Sequence, residues 1–473
     1  MVYPENQNDI SWINQVATDP TSQWRIMLYG IDPIFNSAAD FTDPAQVRLF
    51  GELITYNSTD TDSNGRISSN GLKITNFYNK DVDFQIGQST SSEIELDFIN
   101  DDGFMTAGGT FPQHFVWNWT YVLHAEIYNS TSQTWKTVPL GMWWFEKPEQ
   151  TSALIVHAKG HDAMSRIESI NAAGLFDNLN FYVGVELKDI YEELEAFVSD
   201  KLGEQQQEYI GVFAGMRVWF NKDYTNWVNS DFVYDFAPCD PSKYNCRQIL
   251  EMIAGVAGGN AFVSRNGAFY IKGFTDAAYG TPTSYYTIDG DATPTDIFEF
   301  SKAEYTVPQI DRLCVMYVYP GGIRTAGSGK NELRVMNNEF FTLLNASSMN
   351  PEVYNAITQL QAYTPITLKA YCSPCIESGD IVRVVLCGTT YSVPIFQQTI
   401  TWAGGPFMCE IVCTGNEFRT QNNAETTAYY NQMESVNYIP SSAAVVSGVI
   451  HFYNQSGGEL FNVALPVYNG GVS

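Results

Sequence analysis

The sequence predicts a mainly β protein with a mixed α+β unit: two antiparallel β-barrel-like domains with that unit between them. Three observations predict it. Short strand-like runs punctuated by turn residues fill residues 24–156 and recur over 304–418. Helical periodicity is concentrated between those two stretches. Aromatic residues are 14% of the 473, with 28 Tyr and 29 Phe, a composition that suits pleated, half-buried surfaces better than helical bundles. The length fits roughly two to four domains.

Residues 1–23 read as an N-terminal arm without a basic, apolar leader, so export is not expected. The first β domain spans 24–160, with strands at Trp24–Tyr29, Val47–Tyr56, Leu72–Phe77, Glu93–Ile99, Tyr121–Tyr128, Met142–Glu146 and Ala153–Val156. Glu93–Phe98 gives the clearest alternation: Ile94, Leu96 and Phe98 face inward, and Glu93, Glu95 and Asp97 form an acidic row on the other face. The α+β unit, 161–303, opens with a short helix from His161 and continues with a longer one over Leu187–Leu202.

A third helix starts at Asn245, where Gln248 stands at the capping-box spacing, and stops at Gly258-Gly259. Asn266-Gly267 then offers two positive-φ residues for a tight hairpin between Ala261–Ser264 and Ala268–Ile271. The second β domain, 304–420, has strands at Ile366–Cys372, Ile381–Leu386, Tyr391–Gln398 and Phe407–Cys413, with a turn at Ser378-Gly-Asp380. A small insert near 331–364 carries one helix around Pro351–Leu360. The C-terminal extension, 421–473, ends in an apolar, β-prone stretch, Val445–Tyr468, expected to pair with another element or another chain.

Charge excludes one class of function. Against 25 Lys+Arg stand 52 Asp+Glu, a formal −27, while only 16% of residues are charged. Such a surface repels phosphate backbones, so DNA can pass it without adhering but is not bound by it. No apolar run reaches the ~18–20 residues of a membrane span, so no membrane anchor is expected.

The motifs give catalysis little support. Asp60, Asp62 and Asn64 with Gly65 match the start of a calcium loop, but the twelfth position is Gly71 and the flanks are strands; a solvated hairpin is the preferred reading. Cys372-Ser-Pro-Cys375 lacks the second pair or the histidines of a zinc site. The eight cysteines read as reduced, buried thiols. His157 and His161 flank an expected strand-to-helix junction at Gly160 and need not share a face. With no nucleophile elbow, phosphate loop or dinucleotide fingerprint, no enzyme activity and no cofactor are expected. A competing reading is a glycan-binding or glycan-cleaving β protein, with Trp117/Trp119 or Trp143/Trp144 as sugar-stacking rows.

Three stretches together resemble one family. Ala153–Ile167, with its strand-to-helix run His-Ala-Lys-Gly-His-Asp-Ala-Met, Gln248–Lys272, and Ser378–Val384 followed by Tyr391–Ile395 and Gly404-Gly405, are similar to segments of the tail-tip or baseplate hub proteins of tailed bacteriophages. They occur in the same order over residues ~20–420. The resemblance implies a homotrimeric structural protein of the virion tail tip, assembled in the host cytoplasm, whose two barrels per subunit line a ring that closes the tail tube. It implies contacts with the distal tail protein, the tail tube, the C-terminus of the tape-measure protein and tip or fibre proteins, and a place in host attachment and the DNA ejection channel. Glu93, Glu95 and Asp97 are the channel-lining candidates. The long lysin extension of many members does not follow here, so wall digestion by this subunit is not expected.

Overall fold

The computed structural model describes residues 12–13, 16, 19, 22–31, 56–57, 67–100, 120–202, 219–225, 227–273, 286–292, 295–317, 322–342, 346–402, 406–417, 442–446, 449–453 and 459–464. The first β unit supplies β1 (Trp24–Ile31), β2 (Tyr56–Asn57), β3 (Ile67–Phe77), β4 (Ser89–Thr90), β5 (Glu93–Ile99), β6 (Thr120–Asn129), β7 (Thr134–Phe145), β8 (Glu149–Gln150) and β9 (Ile155–His161). Next come α1 (Ala163–Glu168), β10 (Val185–Glu186), α2 (Leu187–Leu202), β11 (Trp219–Phe220), β12 (Val233–Tyr234), α3 (Cys246–Val256), β13 (Asn260–Val263), β14 (Ala268–Lys272) and β15 (Thr287–Asp289).

The remainder is β16 (Ile297–Lys302), β17 (Arg312–Tyr317), β18 (Gly322–Gly327), β19 (Glu332–Val335), α4 (Ala346–Ile357), β20 (Ile366–Tyr371), β21 (Ile381–Leu386), β22 (Thr389–Pro394), β23 (Gln397–Trp402) and β24 (Met408–Cys413), then β25 (Ser442–Val446), β26 (Val449–Tyr453) and β27 (Glu459–Ala464). The protein is mostly β, with several antiparallel sheets and a few helices, as the periodicity predicts.

One sheet dominates. Its twelve strands run β16-β20-β24-β23-β3-β5-β9-β7-β6-β1-β2, with β8 on β9. The strands expected in two separate modules therefore share one sheet, joined where β23 pairs antiparallel with β3, from Gln397↔Phe77 to Trp402↔Leu72. Because side chains alternate along each strand, this register continues the core row across the join. Leu72, Ile74, Ile94, Leu96, Ile400 and Ile411 are fully buried on the inner face, with Trp402 beside them.

Behind this sheet sits the α+β unit. In α3 the capping box forms: the Asn245 side chain accepts from Gln248 N–H at 2.8 Å, and Gln248 accepts from Asn245 N–H at 3.0 Å. Ile249, Leu250, Ile253 and Val256 bury the stripe that the spacing predicts. The hairpin between β13 and β14 differs from its sequence reading. Only Gly267 takes positive φ, at 84°, and Gly267 N–H donates to Ser264 C=O at 2.9 Å. This is a type I turn over Arg265-Asn266 closed by a left-handed glycine, a three-residue loop instead of a two-residue one. β4 leaves the first β unit and pairs parallel with β13, fastening the two units together.

Two further features follow from pairing. β9 runs on to His161, and the helix begins only after Asp162, whose side chain caps it. In the C-terminal stretch, expected to pair with another element or another chain, β25, β26 and β27 make a three-stranded antiparallel sheet among the described residues.

Replacing Asn245 by Ala leaves Gln248 N–H without its acceptor and is expected to cost about 1 kcal/mol. A lower urea midpoint with an unchanged slope checks it.

Candidate functional site

On β5 the inward residues Ile94, Leu96 and Phe98 are fully buried, which turns Glu93, Glu95 and Asp97 to the opposite face. That face is not a bare acidic stripe. Each carboxylate meets a basic side chain across the strand: Glu93 with Lys159 at 3.3 Å, Glu95 with Lys73 at 3.3 Å, and Asp97 with His157 Nδ1 at 2.7 Å.

Across the join, the register places Glu299, Lys369, Glu410, Thr399, Thr75, Glu93 and His161 in one row over seven strands. Lys369 pairs with Glu299 at 2.9 Å, Thr75 and Thr399 hydroxyls lie 3.5 Å apart, and His161 reaches Glu146 at 3.2 Å. Half-exposed cross-strand pairs of this kind contribute only ~0.2–1 kcal/mol each. Their chemical consequence is larger: the lysine ammoniums are engaged and less available to a passing anion.

His157 and His161 share this face, because both lie on β9 with Lys159 between them; the junction expected at Gly160 falls one residue later, after His161. Asp162 then accepts from Ser92 N–H at 2.7 Å, Ser91 Oγ at 2.8 Å and Met164 N–H at 3.0 Å. It thereby ties α1 to the start of β5.

On the core side of the join is a buried polar junction that no sequence motif announced. The hairpin tip Ser264-Arg265-Asn266 is buried against the loop before β21. Glu377 accepts from Arg265 N–H at 2.9 Å and from Ser264 Oγ at 3.3 Å. The Arg265 guanidinium donates from Nη2 to Gln398 Oε1 at 2.7 Å, and Gln398 is a fully buried residue of β23. Arg265 Nε and Nη1 and Glu377 Oε2 have no hydrogen-bond partner among the described residues. Burial pulls the Arg265 pKa down, opposed by the Glu377 carboxylate.

Beside it, Lys272 Nζ lies 2.6 Å from Asp380 Oδ1, and Asp380 also accepts from Glu377 N–H at 2.9 Å. Burial works to raise the Asp380 carboxyl, but the Lys272 ammonium and these donors overcome it and hold the group well below the usual carboxylate range. Gly379, at φ 82°, makes the turn expected at Ser378-Gly-Asp380; a Cβ there would lie 2.6 Å from the Tyr78 ring. Ser378 Oγ donates to Asn76 C=O on β3 at 3.0 Å. The Asn266-Gly267 signal identifies a turn, and a turn reads as solvent-exposed; nothing local marks this one as buried.

The cysteines depart from expectation. Cys372 and Cys409 are bonded, with Cα atoms 5.9 Å apart, because Cys372 directly follows β20 where that strand lies against β24. Cys375 is a separate buried thiol, pushed up to about 11 by burial. Trp143 and Trp144 are buried in the sheet core and offer no exposed sugar-stacking row. Asp60, Asp62 and Asn64, and Trp117 and Trp119, lie outside the described residues. Among the described residues no three metal-ligating side chains gather, and no helix is long and apolar enough to cross a membrane.

No family model matches the chain, and no curated protein matches it in sequence. Among solved structures it is similar to the tail protein from Neisseria meningitidis MC58, at 9% identity and TM-score 0.47, over 84% of this chain and 97% of that one. It is similar to the 43 kDa tail protein of prophage MuSo2 from Shewanella oneidensis, at 11% identity and TM-score 0.43, over 82% and 98%. It is also similar to prophage tail protein gp18 from Listeria monocytogenes EGD-e, at 11% identity and TM-score 0.44, over 86% and 99%. All three are tail proteins by description.

The depressed Asp380 carboxyl sets a pH dependence. A group whose folded pKa lies below its unfolded value of about 3.9 stabilises fully above that value, and the contribution is lost as pH falls toward the folded pKa. Asp380→Asn is therefore expected to lower the melting temperature at pH 7, and to narrow its gap to wild type between pH ~4.5 and the lowest pH at which both fold. Parallel melting curves for the two proteins down to that pH would refute the assignment.

Proposed function

We propose that this chain is a structural subunit of a tailed-phage virion, the tail-tip or baseplate hub, without catalytic activity of its own. The observation that carries the reading is the join of β3 with β23. It turns two β units of one subunit into a single wall, apolar behind and polar in front. The sequence resemblance over residues ~20–420 supports the same assignment.

In this reading three copies close a ring at the end of the tail tube, and the first and second β units, 24–160 and 304–420, alternate around it. The face carrying Glu93, Glu95 and Asp97 lines the bore. Its lysines are held in pairs, so DNA phosphates slide past carboxylates without settling on free ammoniums. The end strand β16 pairs with β20 on one side and exposes Phe298 at 51% and Phe300 at 39%. An apolar sheet edge of this kind is suited to cover by a neighbouring copy. The outward contacts are with the distal tail protein and tail tube on one side, and with tip or fibre proteins and the end of the tape-measure protein on the other.

Two measurements test this. Electron microscopy of particles labelled on this chain is expected to place it at the tail tip in threefold symmetry; a stable monomer that binds sugar and is absent from particles would overturn the reading. The variant Glu93→Gln/Glu95→Gln/Asp97→Asn frees Lys73 and Lys159 toward the bore and is expected to slow DNA ejection several-fold, most at low salt. Ejection kinetics unchanged in particles that assemble normally would remove the bore-lining assignment.

A further inference from the structure

Away from the sheet face and the buried junction, exposed apolar side chains come together on the α+β unit. Tyr182 is fully exposed, Val183 is 79% exposed, and Val233 is 43% exposed. They are neighbours: a Cβ on Gly184 would stand 2.7 Å from Val233 Cγ1, and Glu186 pairs directly with Val233.

The turn that presents them is held firmly. Asn180 Oδ1 accepts from Tyr182 N–H at 3.2 Å, and Gly184 N–H donates to Phe181 C=O at 3.2 Å with φ at 87°. Phe181 packs edge-on against Phe176 at 5.6 Å. Below, β10 pairs with β12, whose Tyr234 hydroxyl is buried and donates to Phe340 C=O at 2.9 Å. The chain thus spends a capped turn and a short sheet on holding up a tyrosine and a valine that are mostly left to solvent. Single exposed apolar residues are ordinary; a contiguous group on a locked turn is the pattern of an anchor, since little ordering entropy remains to be lost on binding.

The rim is acidic. Glu186 stands opposite Val233, Asp189 accepts from Glu186 N–H at 3.0 Å, and Lys188 is shared between Glu186 at 2.5 Å and Asp231 at 2.8 Å, so three carboxylates meet one ammonium beside the group. We propose that Tyr182, Val183 and Val233 form a docking knob for a different protein, one that offers an apolar socket rimmed by Lys or Arg. A second copy of this chain is disfavoured because acidic rim would meet acidic rim, in a chain of net charge −27. An anionic lipid surface is disfavoured on the same ground. The tail-tip reading enters only as the place where the partner is sought.

The experiment places the photoreactive p-benzoylphenylalanine at position 182 of the full chain, with the same residue at exposed Leu154 as control. Irradiation is done on purified particles and, separately, on the full chain purified under native conditions from the cells that make it. The expected result is one adduct, specific to position 182, with another protein whose mapped contact segment is apolar and flanked by Lys or Arg. Tyr182→Asp is expected to cut that protein's association roughly tenfold or more while leaving the isolated chain's melting curve in place. An adduct only with another copy of this chain, an adduct with lipid or glycan, a contact segment lacking cationic residues, or no adduct in either sample each overturns the proposal. Particles that lack the chain remove the tail-tip reading alone, since the second sample still reports on the knob.

Discussion

Everything else in this fold depends on the antiparallel pairing of β3 with β23. The two strands are more than three hundred residues apart in the chain, yet each supplies the other's missing edge from Leu72↔Trp402 to Phe77↔Gln397. Without that pairing, two strands with buried apolar faces would end at open edges in the middle of the molecule, where unpaired N–H and C=O groups are costly. With it, the period-two alternation of each strand is forced into phase with the next. Leu72, Ile74, Ile400 and Trp402 then share one core, and Thr75, Thr399, Glu93 and Lys369 share one outer face. Core and polar wall are two consequences of one register.

The buried charges explain how that register is specified. Ion pairs taken out of water return little net stability, because desolvation offsets most of the attraction. Their geometry is exacting, however. Arg265, at the tip of a hairpin from the α+β unit, reaches Gln398, and Gln398 faces the core only in the observed register. A slip of one residue would turn Gln398 outward and leave the guanidinium buried without its side-chain acceptor, a loss of ~1.5–3 kcal/mol for a hydrogen bond to a charged group. The Ser378 hydroxyl on Asn76 C=O makes the same demand from the neighbouring loop. Apolar packing supplies the stability of this region, and the polar contacts decide which of several apolar alignments is adopted.

The same distinction accounts for how much was legible in the sequence. Local grammar was readable: the Asn245/Gln248 capping box, the apolar stripe of α3, the alternation of β5 and the Ser378-Gly-Asp380 turn all appear where spacing places them. Features set by distant partners were not. The cysteines read as reduced, buried thiols, but Cys372 bonds Cys409, brought close by the β20–β24 pairing. Glu93, Glu95 and Asp97 read as an acidic row because period two shows which side they occupy. It says nothing of Lys73 and Lys159, contributed by strands whose order in the sheet no local pattern fixes. Trp143 and Trp144 read more readily as core than as a sugar-stacking row, and β7 in mid-sheet buries them.

The compensated ladder also resolves a tension in the composition. A chain with −27 formal charge but few charged residues has to spread its repulsion or lose stability to it. On the sheet face the acids that crowd closest are the ones given a basic neighbour: Glu93, Glu95, Asp97 and Glu299 each have one. Near Val233 the balance differs: one lysine, Lys188, is shared by Glu186 and Asp231, so carboxylates outnumber ammoniums where a cationic surface can answer them. Charge matched one to one where the chain packs against itself, and acid in excess where it meets something else, is one electrostatic rule applied to two surfaces. It separates the face that is to be passed over from the one that is to be gripped.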